Sequence, residues 1–159
     1  MSTADPRERL KHEADELDRR QDGLDREQTR LDATPRAERD PAAMLRLADD
    51  TDALADDRER HADRWDGLAE ARDADADQRD IRAHARDMAR RTAEEAGRVA
   101  RDPGVERYWT TRDRDNATFD RHDAADDRRR AAADRSRSAE LRRRAAKYRL
   151  ELGVDRPGD

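Results

Sequence analysis

Residues 47–88 read LADDTDA LADDRER HADRWDG LAEARDA DADQRDI RAHARDM, six heptads with alanine in second place every time. Ala48, Ala55, Ala62, Ala69, Ala76 and Ala83 recur without a miss, and Arg-Asp follows at a fixed offset in Arg72-Asp73, Arg79-Asp80 and Arg86-Asp87. A strict seven-residue repeat keeps one stripe of a helix facing a partner and implies left-handed supercoiling. Alanine in that stripe lets two helix axes approach closely. Arg and Asp beside it can pair along or between helices, at a few tenths of a kcal/mol (~0.3) for each exposed pair. The stretch predicts a long helix in a coiled coil.

The period extends outward on both sides. Leu10, Leu17, Leu24 and Leu31 are spaced seven apart and place Ala14, Gln21 and Gln28 at the other core position. Polar residues there weaken a simple parallel zipper and suit a helix lying along other helices. On the C-terminal side Ala125, Ala132, Ala139 and Ala146 renew the repeat.

Proline marks the boundaries. Asp5-Pro6, Asp40-Pro41 and Asp102-Pro103 each join a favoured N-cap to the residue best suited to the first helical position. Glu8 stands where a capping box would place it. Thr34-Pro35 ends the preceding helix and leaves room for one short turn, and Pro157-Gly158 closes the sequence. The expected helices are 6–33, 41–100 and 103–152, in one unit over 1–159 with a tail at 153–159.

Composition limits what such a chain can do. Of 159 residues 48% are charged, 33% are hydrophobic and none is Cys. Alanine supplies 29 of the hydrophobic residues, while Leu, Ile, Val and Phe together number 16. That is too few to wall a dry catalytic pocket, so no enzyme activity, cofactor or small-molecule substrate is expected. Without Cys there is neither a disulfide framework nor a thiolate metal site. No stretch reaches the length of a membrane span, and MSTADPRERL lacks the apolar run of a secretory signal. A cytoplasmic location is the default expectation.

Charge distribution suggests a topology. Residues 49–80 carry 13 acidic and 5 basic side chains, whereas 128–149 carry 2 acidic and 10 basic. Folding the third helix back at Asp102-Pro103-Gly104 sets acid against base if facing positions sum to 206. That register aligns Trp65 with Leu141 and Leu54 with Leu152, and puts Met88 beside Phe119. Folding the first helix back at a sum of 75 brings Leu31 to Met44, Leu24 to Thr51, Leu17 to Arg58 and Leu10 to Trp65. The expected fold is all-α: an antiparallel coiled-coil hairpin, with the N-terminal helix completing a three-helix bundle at one end and a two-helix arm beyond it. Its packing seam is Leu10, Leu17, Leu24, Leu31, Met44, Leu47, Leu54, Trp65, Leu68, Ile81, Met88, Phe119, Leu141, Tyr148 and Leu152. The arm, 69–136, has mostly alanine at its seam, so dimerisation along it would bury further surface.

The A-x-x-R-D heptads of residues 69–146 resemble the Ala/Asp/Arg-rich coiled-coil segments of high-GC actinobacterial proteins, and 34 Arg against 2 Lys suits a GC-rich genome. Some such segments precede signalling domains, including diguanylate cyclases. The resemblance implies a spacer or signalling helix. The Gly-Gly-Asp/Glu-Glu-Phe signature of the cyclases is missing, so it implies no cyclase activity.

Three groups of residues are candidates for a site. Each of two histidines has a same-face carboxylate four residues away, Asp57 before His61 and Asp126 after His122. His12 and His84 complete the four; acids are so abundant that such pairs arise by chance, and no converging ligand set emerges. Tyr108 and Trp109, just past the hairpin turn, either contact a partner or cap the arm against Val99 and Val105. Arg128, Arg129, Arg130, Arg142, Arg143 and Arg144 could bind phosphate, or pair with the chain's own acidic block. The net charge of −5 argues against nucleic acid. The first expectation is a non-enzymatic spacer, scaffold or adaptor with a protein partner or itself as partner. The alternatives are a hydrophilic stress protectant that folds on drying or binding, and a nucleic-acid binder acting through 128–149.

Overall fold

The computed structural model describes residues 5–97 and 103–153. Three α-helices carry almost all of them: α1, Pro6–Ala33; α2, Pro41–Glu95; and α3, Pro103–Leu152. A short 3-10 turn, Arg36–Glu38, lies between α1 and α2. The fold is all-α. The two long helices pack against each other and α1 packs on them.

Local chemistry explains the boundaries. Asp5 Oδ1 accepts the Arg7 N–H at 3.0 Å, and Asp40 Oδ1 accepts that of Ala42 at 3.0 Å, each with proline at the first helical position. Glu8 does not close the expected capping box with the cap backbone; its carboxylate pairs with Lys11 Nζ at 2.6 Å. α2 stops at Glu95, short of the expected 100, and Gly97 at φ 65 supplies the left-handed residue that commonly follows a helix end. Residues 98–100, Asp102 and 154–159 lie outside the described residues, and with them the Asp102 cap, most of the expected tail and any contact of Val99.

The chain divides into two units, 1–65 with 130–159, and 66–129. In the first, Met44, Leu47, Ala48, Ala145 and Tyr148 form one buried cluster, with Leu24, Leu31 and Leu152 packed against it. Leu17, Leu54, Ala55 and Leu141 form another. Leu10 and Trp65 are also buried. α1 lies on α2 within a few residues of the expected alignment: Glu13 pairs with Arg64 at 2.6 Å and Arg20 with Asp57 at 2.6 Å.

The second unit has a different seam. Ala69, Ala76 and Ala83 of α2 are buried with Thr110, Ala117 and Ala124 of α3. Between these small residues, Arg72 reaches Asp127 at 2.9 Å, and Arg79–Asp120 and Arg86–Asp113 repeat the pair. Each rung is offset three residues from an alanine, so long polar side chains alternate with small apolar ones. Ile81 (60% exposed), Met88 (47%) and Phe119 (70%) are not in the seam, contrary to expectation. Leu68 is half-buried.

Two further expectations need correction. On α3 the buried seven-residue series runs through Ala117, Ala124, Ala131, Ser138 and Ala145, one residue before the expected Ala125, Ala132, Ala139 and Ala146. Alanines neighbour one another there, so composition leaves the face ambiguous by one step. What selects the face is the residue three further on: Asp127, Asp134, Leu141 and Tyr148 are all buried. The α2–α3 register is also one heptad from the expected one. The Arg72–Asp127, Arg79–Asp120 and Arg86–Asp113 pairs each sum to 199, not 206. In the first unit Leu54 packs with Leu141 rather than with the expected Leu152. A seven-residue slip leaves every buried face buried, so periodicity cannot distinguish the two registers.

Candidate functional site

In the three-helix unit a buried polar cluster joins all three helices. Arg58, fully buried on α2, donates from Nη1 to Asp134 Oδ1 of α3 at 3.1 Å. Its Nη2 donates to Asp18 Oδ1 at 2.7 Å and to Gln21 Oε1 at 2.7 Å, both on α1. One turn along α2, His61 is equally buried; its Nδ1 lies 2.7 Å from Asp134 Oδ2 and its Nε2 2.8 Å from the Leu10 carbonyl. A carboxylate and a carbonyl facing the two ring nitrogens favour the protonated ring, in which both nitrogens donate. Burial pulls the His61 pKa down. The Asp134 hydrogen bond, the Leu10 carbonyl and the Asp134 charge outweigh it and raise the pKa from 6.5, against a small opposing effect of Arg64. Trp65 closes the cluster, edge-on to His61 at 5.9 Å, with the Arg130 guanidinium over its ring at 4.9 Å.

This cluster has the ion pairs of a structural centre. His61 takes its carboxylate from Asp134, not from Asp57, which pairs instead with Arg20 and Arg60. His12, His84 and His122 are exposed. Among the described residues no group of three or more His, Asp or Glu is placed to hold a metal ion. A 390 Å³ cleft above Trp65 is lined by Ala14, Ala133, Lys11 and Arg137, among others. Two of its cations already have acidic neighbours: Lys11 pairs with Glu8, and Arg137 sits 3.5 Å from Asp18.

The arginines singled out as anion contacts are engaged within the chain. Arg128 pairs with Asp73 and Arg129 with Asp126, while Arg130 stacks on Trp65. Arg142 pairs with Asp56 at 3.1 Å, Arg143 with Glu140 at 3.0 Å and Arg144 with Asp25 at 2.6 Å. Several belong to a pattern that the sequence reading missed. Arg107, Arg114, Arg121, Arg128, Arg135, Arg142 and Arg149 recur every seven residues on α3, and Asp52, Glu59, Asp66, Asp73, Asp80, Asp87 and Glu94 recur likewise on α2. Arg149–Asp52 in the three-helix unit, and Arg128–Asp73, Arg121–Asp80 and Arg114–Asp87 in the two-helix unit, realise this match at a sum of 201. Matching the two series would have given the register from sequence alone.

Tyr108 (57% exposed) and Trp109 (44%) sit on the surface of α3, edge to face at 5.3 Å. Arg112 lies over the Trp109 ring at 5.3 Å, and its Nη1 donates to Tyr108 Oη at 3.4 Å. Val105 is exposed beside them. No large apolar side chain of residues 66–129 is buried among the described residues; buried positions in this unit are alanines, Thr110 and Asp127.

No family model, curated protein or solved structure matches the chain. Among the described residues no helix is long and apolar enough to cross a membrane. The functional reading therefore rests on the chain's own residues.

Proposed function

We propose that this chain is a non-enzymatic coiled-coil spacer or scaffold that works through helix-to-helix contact and associates with itself. The observation that carries the reading is the inversion in residues 66–129, where alanine and Arg–Asp rungs hold the two helices together. Ile81, Met88, Val105, Tyr108, Trp109 and Phe119 are left facing outward. Burying these side chains against another helix would remove apolar surface from water, which favours association. A cytoplasmic setting and kinship with actinobacterial heptad segments belong to the same proposal and rest on composition. The pairing of the 128–149 arginines with acids of the chain favours this reading over nucleic acid. Sedimentation equilibrium of the full chain tests it: a reversible monomer–oligomer equilibrium at micromolar concentration is expected, and a monomer at every concentration would count against it.

A further inference from the structure

The seven-apart series Leu47, Leu54 and His61 on α2 is the flank on which α1 lies: Leu54 packs with Leu17, and His61 meets the Leu10 carbonyl. The series continues through Leu68, Asp75, Arg82 and Ala89, where Asp75, Arg82 and Ala89 are exposed and Leu68 is half-buried. The opposite flank of this stretch carries Asp73, Asp80 and Asp87, each paired to an arginine of α3. Asp75 and Arg82 make no ion pair among the described residues. Next to them, Ala71, Gln78 and Ala85 complete an exposed stripe.

This stripe is complementary to its own reverse. Laid antiparallel on a second copy, with the two-fold axis near Gln78, Asp75 meets Arg82 of the second copy and Arg82 meets Asp75, giving two equivalent ion pairs. Leu68 then faces Ala89, large against small. Ala71 faces Ala85, and the Gln78 amides meet at the axis, where each can donate to and accept from the other. An isologous interface requires such self-matching. At the Ala89 end Trp109 lies nearby, its carbonyl 3.5 Å from Arg86 Nη1. Its exposed indole adds apolar surface where Leu68 of the second copy arrives. We infer that residues 68–89 of α2 form the antiparallel dimer face of this protein, with a second copy of the chain as occupant.

The inference rests on the self-association proposed above, and charge exchange separates the two. Asp75→Arg sets arginine against Arg82, and Arg82→Asp sets aspartate against Asp75. Each should weaken the dimer at least about tenfold in sedimentation equilibrium, while far-UV circular dichroism stays unchanged because both sites are exposed. The combined exchange should restore dimerisation to within about threefold. Orientation is read by oxidation, since the chain has no cysteine of its own. A mixture of Ala71→Cys and Ala85→Cys chains should form the mixed disulfide dimer, and neither variant should cross-link with itself. Self-cross-linking of Ala71→Cys would mean a parallel pair and would overturn the inference. A wild-type dimer indifferent to both charge reversals would overturn this face and leave self-association standing. A wild-type monomer throughout would overturn both.

Discussion

At the scale of single residues, Asp134 holds the most consequential position. It meets two fully buried side chains, the Arg58 guanidinium and the His61 ring, on separate oxygens. Removing one partner of a buried ionic network leaves charge stranded in a low dielectric, so Asp134→Ala should cost about 3–5 kcal/mol. Arg143→Ala, on an exposed residue, should stay within about 0.5 kcal/mol. Urea denaturation of both variants checks the contrast. His61 adds a pH dependence. Its folded-state pKa is raised above 6.5, so its stabilising contribution is fully present below the unfolded value and is lost as pH rises through the folded one. Urea midpoints measured from pH 5 upward should show that decline, and His61→Gln should flatten it. Little of this cluster was legible in the sequence. Arg58 and His61 sit in a heptad crowded with charge, with nothing local to mark them as buried. Their shared carboxylate is more than 70 residues away and joins them only once the helices are in register.

At the scale of the element, the sequence disclosed the α2 seam well and the α3 seam poorly. Six alanines seven apart without interruption leave one face for α2. Adjacent alanines at 124–125 and 145–146 leave two for α3, and packing chose the earlier residue each time. Size and hydrophobicity alone place Ile81, Met88 and Phe119 inward; they face outward, and the contact between the helices is made by alanines and Arg–Asp rungs instead. The buried series predicts an asymmetry. Ala76→Leu inserts volume into a close helix contact and should destabilise by about 1–3 kcal/mol. Ala132→Leu, on an exposed position, should change stability by less than about 0.5 kcal/mol. Chemical denaturation of the two variants tests the face assignment directly. Equal losses would return the α3 seam to the later alanines.

For the whole molecule, an all-helical chain was evident from the heptads, the scarcity of Gly and Pro and the placement of Pro at helix starts. The register was not evident from the alanine and leucine repeats, which are blind to a seven-residue slip; only the full overlap of the α3 arginine series with the α2 acidic series carries it. Large buried side chains such as Leu47, Leu54, Trp65, Leu141 and Tyr148 all belong to the unit formed by 1–65 and 130–159. The unit at 66–129 buries alanine and ion pairs, which contribute less per residue. Native-state hydrogen exchange should therefore show amides of 69–90 and 110–125 opening at lower free energy than those of 47–62 and 138–149. The central claim is that this highly charged chain, with a mean hydropathy of −1.47, is nevertheless a folded helical object. Far-UV circular dichroism of the full chain in dilute buffer, followed through a thermal melt, tests it most directly. The account predicts a strongly helical spectrum lost in a cooperative transition. A coil spectrum that gains helix only in trifluoroethanol would contradict it.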